Sequence, residues 1–434
     1  MQSSRRILFM FPYDWLTNPR SVKEILFLKG SKYKPIIIWT NARFALQHGK
    51  SVSSSPRFDV SSKGVDCYQV PFFVSPLNLA KHGVISRICF LTFYLVSTIT
   101  YSLWLFSLMF LVCVEKQVQL IHVHNTPDLE GFIASLVSKI TGTPYVFEVH
   151  DHTPELFAET MNLQSDSMIF KLLKIIERTV VSSSSGNIFV SKTSERFFQM
   201  AYDLDPSKSI VVYSGPYRNF IDSNKYDDIE LDDVSRENLM VNKFKILYLG
   251  SMEDGFRRGL DILVESMGHL IHTYRLPNIV LVFVGDGGGT MEKLKELALD
   301  YKVSDYVSFQ GMVPRREAYK WLRIADVVVD PLRGAASTEA CVTNKDLEYM
   351  AAQKTIIASD LIGHREILRN GYNGFLFRDG DALDLADKIR FIIENAGSSA
   401  VQKLGINAGK DFSEKYCWEM QQHKLLDLYK EILE

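Results

Sequence analysis

Short apolar runs that alternate with helix-like segments constrain this chain more than any other feature. Segments with helical periodicity separate the runs, as at Leu129–Ile140. This alternation is typical of parallel sheets whose two faces are covered by helices, so the sequence predicts an α/β fold. The runs in the first half lie at Arg6–Phe11, Lys34–Thr40, Leu120–His124, Tyr145–His150, Gly186–Val190 and Ser209–Tyr213.

The alternation occurs twice along the chain. A polar, acidic segment at Asp222–Asn242 interrupts it. The 434 residues exceed what one ordinary hydrophobic core usually contains. We therefore expect two domains, residues 1–218 and 219–412, each built on its own parallel sheet. The later runs lie at Phe244–Leu249, Ile279–Val284, Tyr306–Phe309, Val327–Val329 and Thr355–Ala358.

Charge and cysteine usage narrow the functional classes. The chain has 49 Lys and Arg against 51 Asp and Glu. No basic excess is present to neutralise phosphates, so we expect no nucleic-acid partner. The five cysteines are not at metal-ligand spacing, and an odd number makes a poor disulfide framework. Both features indicate a reducing compartment.

Two turns in the second half have the composition of phosphate-binding turns. Gly250 and Ser251 end a predicted strand, and Arg257 and Arg258 precede the next helix. Backbone N–H groups at such a turn can approach a phosphate, and an arginine can bind a diphosphate in bidentate fashion. Gly285 begins a second glycine-rich turn, where positive φ is permitted. Each turn alone is equally consistent with an ordinary strand-turn-helix connection.

Two later loops carry further candidate groups. The loop around Phe309, Gly311 and Val313 offers a backbone edge that can pair with a nucleobase. A predicted helix then begins with Thr343-Asn344-Lys345, and its N-terminal amides favour an anion. Glu348 lies one turn after Asn344, where a carboxylate can accept both hydroxyls of a ribose. The same carboxylate can also simply complement the helix dipole.

These motifs together resemble one known family. Residues 244–378 contain, in order, ILYLGS, RRGLDILVES, VFVGDG, VSFQGMVP, ADVVVDP, NKDLEYMAAQKTIIASD, IGHREIL and NGYNGFLF. This series resembles the second domain of the family-4 retaining glycosyltransferases, which have the GT-B fold. In the first half, NPRSVKE at residues 18–24 and VHDHTPE at residues 149–155 are similar to two further elements of that family. The resemblance covers most of the chain.

The resemblance implies a fold and a set of roles. It implies two Rossmann-like domains that face each other across a cleft, with a C-terminal helix, residues 413–434, crossing back to the first domain. By position, Arg258 matches the basic residue that binds the donor diphosphate, and Glu348 matches the ribose-binding glutamate. His150 matches the first-domain histidine that faces the transferred sugar. The remaining implied donor-binding positions are Gly250, Ser251, Gly285, Phe309, Gly311, Val313, Thr343 and Asn344.

The sequence departs from the family pattern at two places. Many members have arginine directly after the strand-end glycine, where this chain has Ser251. The paired basic site is then either Arg257 with Arg258, or Arg258 with Lys345. Many members also separate two glutamates by seven residues, whereas Glu339 and Glu348 are separated by eight. Glu339 therefore either reaches donor-sugar hydroxyls or is a solvated loop charge.

The implied reaction is sugar transfer with retention of anomeric configuration, with a nucleoside-diphosphate sugar as substrate and no further cofactor. Arg258, Lys345 and helix amides would stabilise the leaving diphosphate in place of a metal ion. Two pairs of histidines, at 122 and 124 and at 150 and 152, could suggest a metal site, but we expect no bound metal. The alternatives are a non-catalytic nucleotide-sugar-binding partner subunit and a GT-B sugar-nucleotide epimerase.

An unusual apolar segment extends from Ile88 to Val114 without a charged residue. It is long enough to cross a bilayer, but strands of one predicted sheet lie on both sides of it in sequence. It can form a hairpin with a break near Ser97–Thr100, lie along the membrane interface, or be a buried helix. We favour membrane contact, with Lys81, Arg87 and Lys116 near headgroups. This implies a lipid-linked or glycan acceptor in polysaccharide synthesis at the cytoplasmic face of a membrane.

Overall fold

The computed structural model describes residues 5–13, 15–16, 18–40, 65–70, 83–125, 129–219, 243–287 and 289–434, with backbone only at 83–95 and 315–316. The predicted acidic segment Asp222–Asn242, Lys81 and the Arg87 side chain lie outside these residues. The chain divides into two units. The first comprises Met1–Val190, Glu195–Val212 and Gln422–Glu434, and the second comprises Ser191–Ser194 and Tyr213–Gln421.

The first unit is built on a seven-stranded parallel sheet of order β3-β2-β1-β4-β5-β6-β7. Its strands are β1 (Arg5–Phe11), β2 (Tyr33–Thr40), β3 (Asp66–Val70), β4 (Leu120–His124), β5 (Tyr145–Val149), β6 (Gly186–Phe189) and β7 (Ser209–Val211). Its helices are α1 (Pro19–Lys29), α2 (Gly83–Glu115), α3 (Leu129–Thr141), α4 (Thr153–Met161), α5 (Met168–Ser183) and α6 (Lys192–Tyr202). Residues in β4 and β5 are buried throughout, because helices cover both faces of the sheet.

The second unit repeats this design with a parallel sheet of six strands, one fewer than in the first unit. Its strand order is β10-β9-β8-β11-β12-β13. The strands are β8 (Phe244–Leu249), β9 (Ile279–Val284), β10 (Val307–Phe309), β11 (Val327–Asp330), β12 (Ile356–Ser359) and β13 (Phe375–Phe377). The helices are α7 (Leu260–Gly268), α8 (Thr290–Asp300), α9 (Arg315–Ile324), α10 (Asn344–Ala351), α11 (Ile362–Ile367), α12 (Ala382–Glu394), α13 (Ser399–Asp411) and α14 (Trp418–Leu433).

Both sheets reverse their strand order at one point. In the first unit, β1 pairs with β2 on one side and with β4 on the other. In the second unit, β8 pairs with β9 and with β11. Such a switch point opens a crevice at the carboxyl ends of the two diverging strands, where α/β folds bind ligands. The candidate residues of both units lie at these two points.

The apolar segment forms most of α2, one continuous helix, so the hairpin with a break near Ser97–Thr100 is wrong. One side of α2 packs into the core of the first unit through Tyr101, Leu105 and Met109. The Tyr101 hydroxyl donates to Glu130 on α3 at 2.7 Å. This helix is the one described segment that is long and apolar enough to cross a membrane, judged by length and composition alone.

The last helix links the two units in sequence. The Trp418 amide donates to the Pro216 carbonyl at 2.9 Å, which keeps the start of α14 with the second unit. From Gln422 onwards its residues belong to the first unit, where the Tyr429 hydroxyl contacts His122. The chain thus passes from the second unit to the first inside α14, at Gln422. This point lies several residues beyond the boundary we expected at residue 413. The earlier boundary lies after Val212, rather than after residue 218.

Candidate functional site

The switch point of the second unit is lined by glycines because backbone segments approach closely there. A Cβ at Gly285, which has φ +145°, would lie 1.8 Å from the Gly250 carbonyl oxygen. A Cβ at Gly259 would lie 1.8 Å from the Pro331 carbonyl oxygen. The turns after β8 and β9 therefore meet, and the start of α7 approaches the residue that follows β11. The two glycine turns predicted from the sequence belong to a single site.

A buried ion pair lies beside these turns. Lys345, in the first turn of α10, places its Nζ atom 2.9 Å from Asp330 Oδ1 at the end of β11. Burial favours the neutral amine, but the Asp330 charge outweighs it and raises the pKa of Lys345. Burial acts against ionised Asp330 too, but Lys345 and His364 lower its pKa far below the usual range. Both groups are therefore ionised at neutral pH.

Two further buried groups complete this cluster. His364 Nε2 lies 3.5 Å from both Asp330 Oδ2 and Asp346 Oδ2, and its Nδ1 donates to the Ser359 carbonyl at 2.7 Å. Burial opposes protonation, yet the carboxylates of Asp346 and Asp330 raise the pKa of His364 to about 10. Burial and the charge of Asp330 raise the pKa of Asp346, while His364 and Lys345 act in the opposite direction. We call Asp330, Lys345, Asp346 and His364 the buried quartet.

The two arginines differ in their surroundings. Arg257 Nε donates to Asp254 Oδ2 at 2.6 Å and its Nη1 lies near the Ser337 hydroxyl. Arg258 Nε donates to the Glu253 carbonyl at 2.9 Å, and its charge opposes protonation of Lys345. Arg258 is therefore near enough to Lys345 for the two cations to repel each other. Arg257 is engaged by Asp254 and Ser337, whereas Arg258 acts electrostatically on Lys345, so we retain Arg258 with Lys345 as the candidate basic pair.

Helix α10 begins directly at this pair of cations. Thr343 is its N-cap and accepts from the Asp346 amide at 3.3 Å. Asn344 and Lys345 occupy the first turn, where backbone amides have no partner within the helix. Glu348 follows one turn later and is half-buried. A helix N-terminus next to two cations is well suited to an anion such as a diphosphate.

The remaining predicted residues surround this position. Glu339 is partly buried and accepts a hydrogen bond from the Ile362 amide at the start of α11, at 3.2 Å. The Gly311 carbonyl accepts from the Gly285 amide at 2.8 Å, which ties the loop of Phe309, Gly311 and Val313 to the glycine turns. Ser251 is exposed and accepts from the Glu253 amide at 3.2 Å.

His150 lies at the switch point of the first unit and contacts two buried groups. Its Nε2 lies 2.8 Å from Glu148 Oε1 and 2.9 Å from His124 Nδ1. Its backbone amide donates to Asn125 Oδ1 at 2.7 Å. Glu148 and His124 are register partners on β5 and β4. The sheet itself thus fixes the position of the His150 ring, whose Nδ1 atom is not engaged by these groups.

A guanidinium neutralises the acids beneath His150. Arg20 Nε lies 2.6 Å from Glu148 Oε1 and 2.9 Å from Glu24 Oε1, and its Nη1 donates to the Val212 carbonyl at 2.6 Å. Burial acts against ionised Glu148, but Arg20 lowers its pKa well below the usual value. Burial and the neighbouring Glu148 raise the pKa of Glu24 to about 7. Glu148 is therefore the carboxylate that accepts from His150.

Both clusters contain groups that can ligate a metal ion. Glu24, His122, His124 and Glu148 lie together in the first unit, as do Asp330, Asp346 and His364 in the second. Burial keeps the pKa of His124 low, at about 3. Each cluster already holds a cationic side chain, Arg20 or Lys345, between its carboxylates. A divalent ion would have to coexist with that charge, so the donor sets fit internal ion pairs better than a resident metal.

Several groups of these clusters had no role in our sequence interpretation. Glu24, Glu148, Asp346 and His364 lie in predicted strands or quoted motifs, but the sequence alone assigned them no role. Some of the contacts in these clusters join residues that are distant in sequence: His122, which lies 3.2 Å from Glu148, also contacts Tyr429, 307 residues away. The sequence signal that could have found them is a charged residue inside an otherwise apolar run, as in YVFEVH. An unpaired buried charge is costly, so such a residue indicates a buried partner.

Known proteins resemble both halves of the chain. The family models described as Glycosyltransferase Family 4 and Glycosyl transferases group 1 match residues 73–216 and 243–395. An uncharacterized glycosyltransferase of Methanocaldococcus jannaschii, MJ1178, is 24% identical over 73% of this chain and 87% of its own. The phosphatidyl-myo-inositol mannosyltransferase of Mycobacterium leprae is 25% identical over 43% of this chain and 46% of its own.

Solved structures share the fold. The crystal structure of Anabaena Alr3699/HepE in complex with UDP has a TM-score of 0.69 and 17% identity, covering 98% of this chain and 100% of that one. The same protein is also known with UDP-glucose. A glycosyltransferase from Rickettsia africae has a TM-score of 0.69 and 18% identity, with 99% of both chains covered. These similarities identify the fold of this chain as GT-B.

Proposed function

Because this chain belongs to the family-4 glycosyltransferases of the GT-B fold, we propose that it transfers a sugar from a nucleoside-diphosphate sugar with retained anomeric configuration and without a metal ion. The observation that carries the proposal is the position of Arg258 and buried Lys345 at the N-terminus of α10, beside the glycine turns. Two fixed cations and free helix amides form a site for a diphosphate.

The same groups would assist departure of the diphosphate. Negative charge develops on the leaving group as the glycosidic bond breaks. Lys345 and Arg258 are held in place before the reaction, so they can stabilise that charge without reorganisation. Glu348 would accept the ribose hydroxyls. The resemblance assigns His150 to the transferred sugar, and we propose that it hydrogen-bonds the sugar and is not a nucleophile.

We propose a lipid-linked or glycan acceptor for surface polysaccharide or glycoconjugate synthesis. The exposed apolar side of α2 supports a membrane location, and we place the protein at the cytoplasmic face. One relative is named for transfer to a phosphatidylinositol, which is a lipid acceptor. Transfer to a glycan acceptor in solution would not require an exposed apolar helix.

Two other functions fit the same nucleotide-sugar site. A non-catalytic partner subunit would bind the donor but neither transfer nor hydrolyse it. A sugar-nucleotide epimerase would convert the donor itself and would need no acceptor. Incubation of the purified chain with donor alone, and then with donor and lipid acceptor, separates all three activities by their products.

The first experiment is a panel of nucleotide sugars scored by thermal shift. Solved structures of a similar fold hold UDP and UDP-glucose, so uridine diphosphate sugars are tested first. A ligand present at 100 times its Kd stabilises the folded state by about 2.7 kcal/mol. We expect at least one nucleotide sugar to raise the melting temperature. Failure of every nucleotide and nucleotide sugar would contradict the proposal.

A further inference from the structure

Helix α2 has one buried side and one exposed apolar side. Its exposed side includes Val96, Ile99, Leu103, Trp104, Leu111 and Val114. Val96, Ile99 and Leu103 are three and four residues apart, as are Leu111 and Val114, and exposed Ser107 lies four residues from both Leu103 and Leu111. These positions share one side of the helix and form a stripe parallel to its axis. At 1.5 Å per residue the stripe is about 27 Å long. Tyr101, Leu105 and Met109 on the opposite side belong to the core.

The apolar surface continues onto two neighbouring helices. α2 packs against α3, and α3 packs against α5. On α3, Ile140 is 62% exposed, and on α5, Met168 and Ile175 are 87% and 61% exposed. Exposed apolar residues on three adjacent helices greatly exceed the scattered single residues usual on soluble proteins. We call the exposed sides of α2, α3 and α5 the docking face.

The charges on the docking face are nearly all positive. Lys139 on α3 and Lys171 and Arg178 on α5 are exposed, and no ion pair joins them to another described residue. Glu130 and Glu177 on the same helices are buried. Among the described side chains of the three helices, the exposed carboxylate is that of Glu115, at the end of α2. Asp166 lies just before α5.

We propose that the docking face binds the surface of an anionic lipid bilayer, with α2 lying flat in the interface. Apolar side chains with interspersed lysine and arginine are the composition of interfacial helices, and an exposed tryptophan suits the headgroup level. A second copy of the chain is a poorer occupant, because a two-fold interface would bring like charges together. Spanning is excluded by the core contacts of α2, including the bond from Tyr101 to Glu130.

Vesicle flotation with the full chain tests this proposal. We expect binding to vesicles of phosphatidylcholine with phosphatidylglycerol, and weaker binding to phosphatidylcholine alone. The double variant Ile169→Glu with Leu172→Glu on α5 should reduce binding more than tenfold, as should Leu103→Glu with Leu111→Glu on α2. The variant Lys171→Gln with Arg178→Gln should lose about fivefold for each cation, and only on anionic vesicles. Leu299→Glu, an exposed leucine of the second unit, is the matched control.

Three outcomes would overturn the proposal. In the first, the native chain fails to float with anionic vesicles. In the second, the α5 variants float as well as the native chain. In the third, light scattering would show a dimer that dissociates in the same variants while no vesicle binding occurs. Nucleotide binding by each variant, measured by thermal shift, reports both its folding and the donor site of the second unit. The docking face and the proposed transferase activity are thus tested separately.

Discussion

At the scale of single residues, the proposed donor site of the second unit depends on two cationic side chains, Lys345 and Arg258. Lys345 is buried with its charge retained, because Asp330 lies 2.9 Å away. Its neighbour Arg258 is anchored through Nε to the backbone carbonyl of Glu253 at 2.9 Å. A buried charge retained next to a second like charge is unfavourable unless an anion offsets it.

We predict that Arg258→Ala weakens donor binding by about 10- to 150-fold, the usual range for loss of a hydrogen bond to a charged group. Arg257→Ala should change the affinity little, because Arg257 already binds Asp254. Glu348→Ala should also weaken binding. Isothermal titration with the nucleotide measures all three variants. Equal losses at Arg257 and Arg258 would favour the alternative in which these two arginines form the basic site.

In the first unit we predict that His150→Ala lowers kcat more than donor affinity, because a hydrogen bond that strengthens in the transition state acts on kcat. Glu148→Gln should lower kcat as well, since Glu148 accepts from His150 Nε2 at 2.8 Å. If Glu148 acts through His150, the double variant will lose little more than His150→Ala alone. Additive losses, or losses in affinity equal to those in kcat, would show a merely structural role.

At the scale of secondary-structure elements, the buried quartet joins β11, α10 and α11 into one rigid support. Thr343 caps α10 while its hydroxyl lies 2.7 Å from Asp346 Oδ2 and 3.1 Å from Asp330 Oδ2. His364 in α11 reaches the same two carboxylates. The orientation of the α10 N-terminus therefore depends on an imidazolium in the next helix.

We predict that stability conferred by His364 depends on pH. Its pKa is raised from 6.5 to about 10, so the contribution is complete below the unfolded pKa and is lost as pH rises through about 10. Removing one partner of a buried ionic group costs about 3–5 kcal/mol. Melting temperatures of His364→Gln should fall well below those of the native chain at pH 6–7, with the difference shrinking towards pH 10. Exposed His272→Gln serves as the control, and a pH-independent difference would contradict the assignment.

Strands with long apolar runs were predictable, and those without were not. β8 and β9 lie where the sequence predicted them, because every position on a doubly covered strand tends to be apolar. β3 was missed because DCYQV is short and half polar. β13 (FLF) was also missed, although β7 and β10 have three residues as well and were predicted. The site positions in the second unit were assigned from the order of the motifs and stay a prediction. The buried quartet could not be foreseen, since the pairing of His364 with Asp330 depends on how two strands align.

At the scale of the whole molecule, two units of the same strand order divide the chemistry. The second unit carries the candidate anion site, and the first carries His150 and the proposed docking face. α14 begins with the second unit and ends with the first, where Tyr429 contacts His122. This arrangement predicts that removing residues 422–434 would expose the His122 side of the buried cluster and destabilise the first unit, leaving the candidate anion site itself intact.

Retaining sugar transfer without a metal ion is tested most directly by assaying the purified chain in excess EDTA. The donor that stabilises the chain in the thermal-shift panel is incubated with lipid-linked acceptors in vesicles, and proton NMR follows the anomeric configuration of the product. We expect release of the nucleoside diphosphate and a product with the same anomeric configuration as the donor. Activity that is lost in EDTA and restored by Mn²⁺ or Mg²⁺, or a product of inverted configuration, would contradict it.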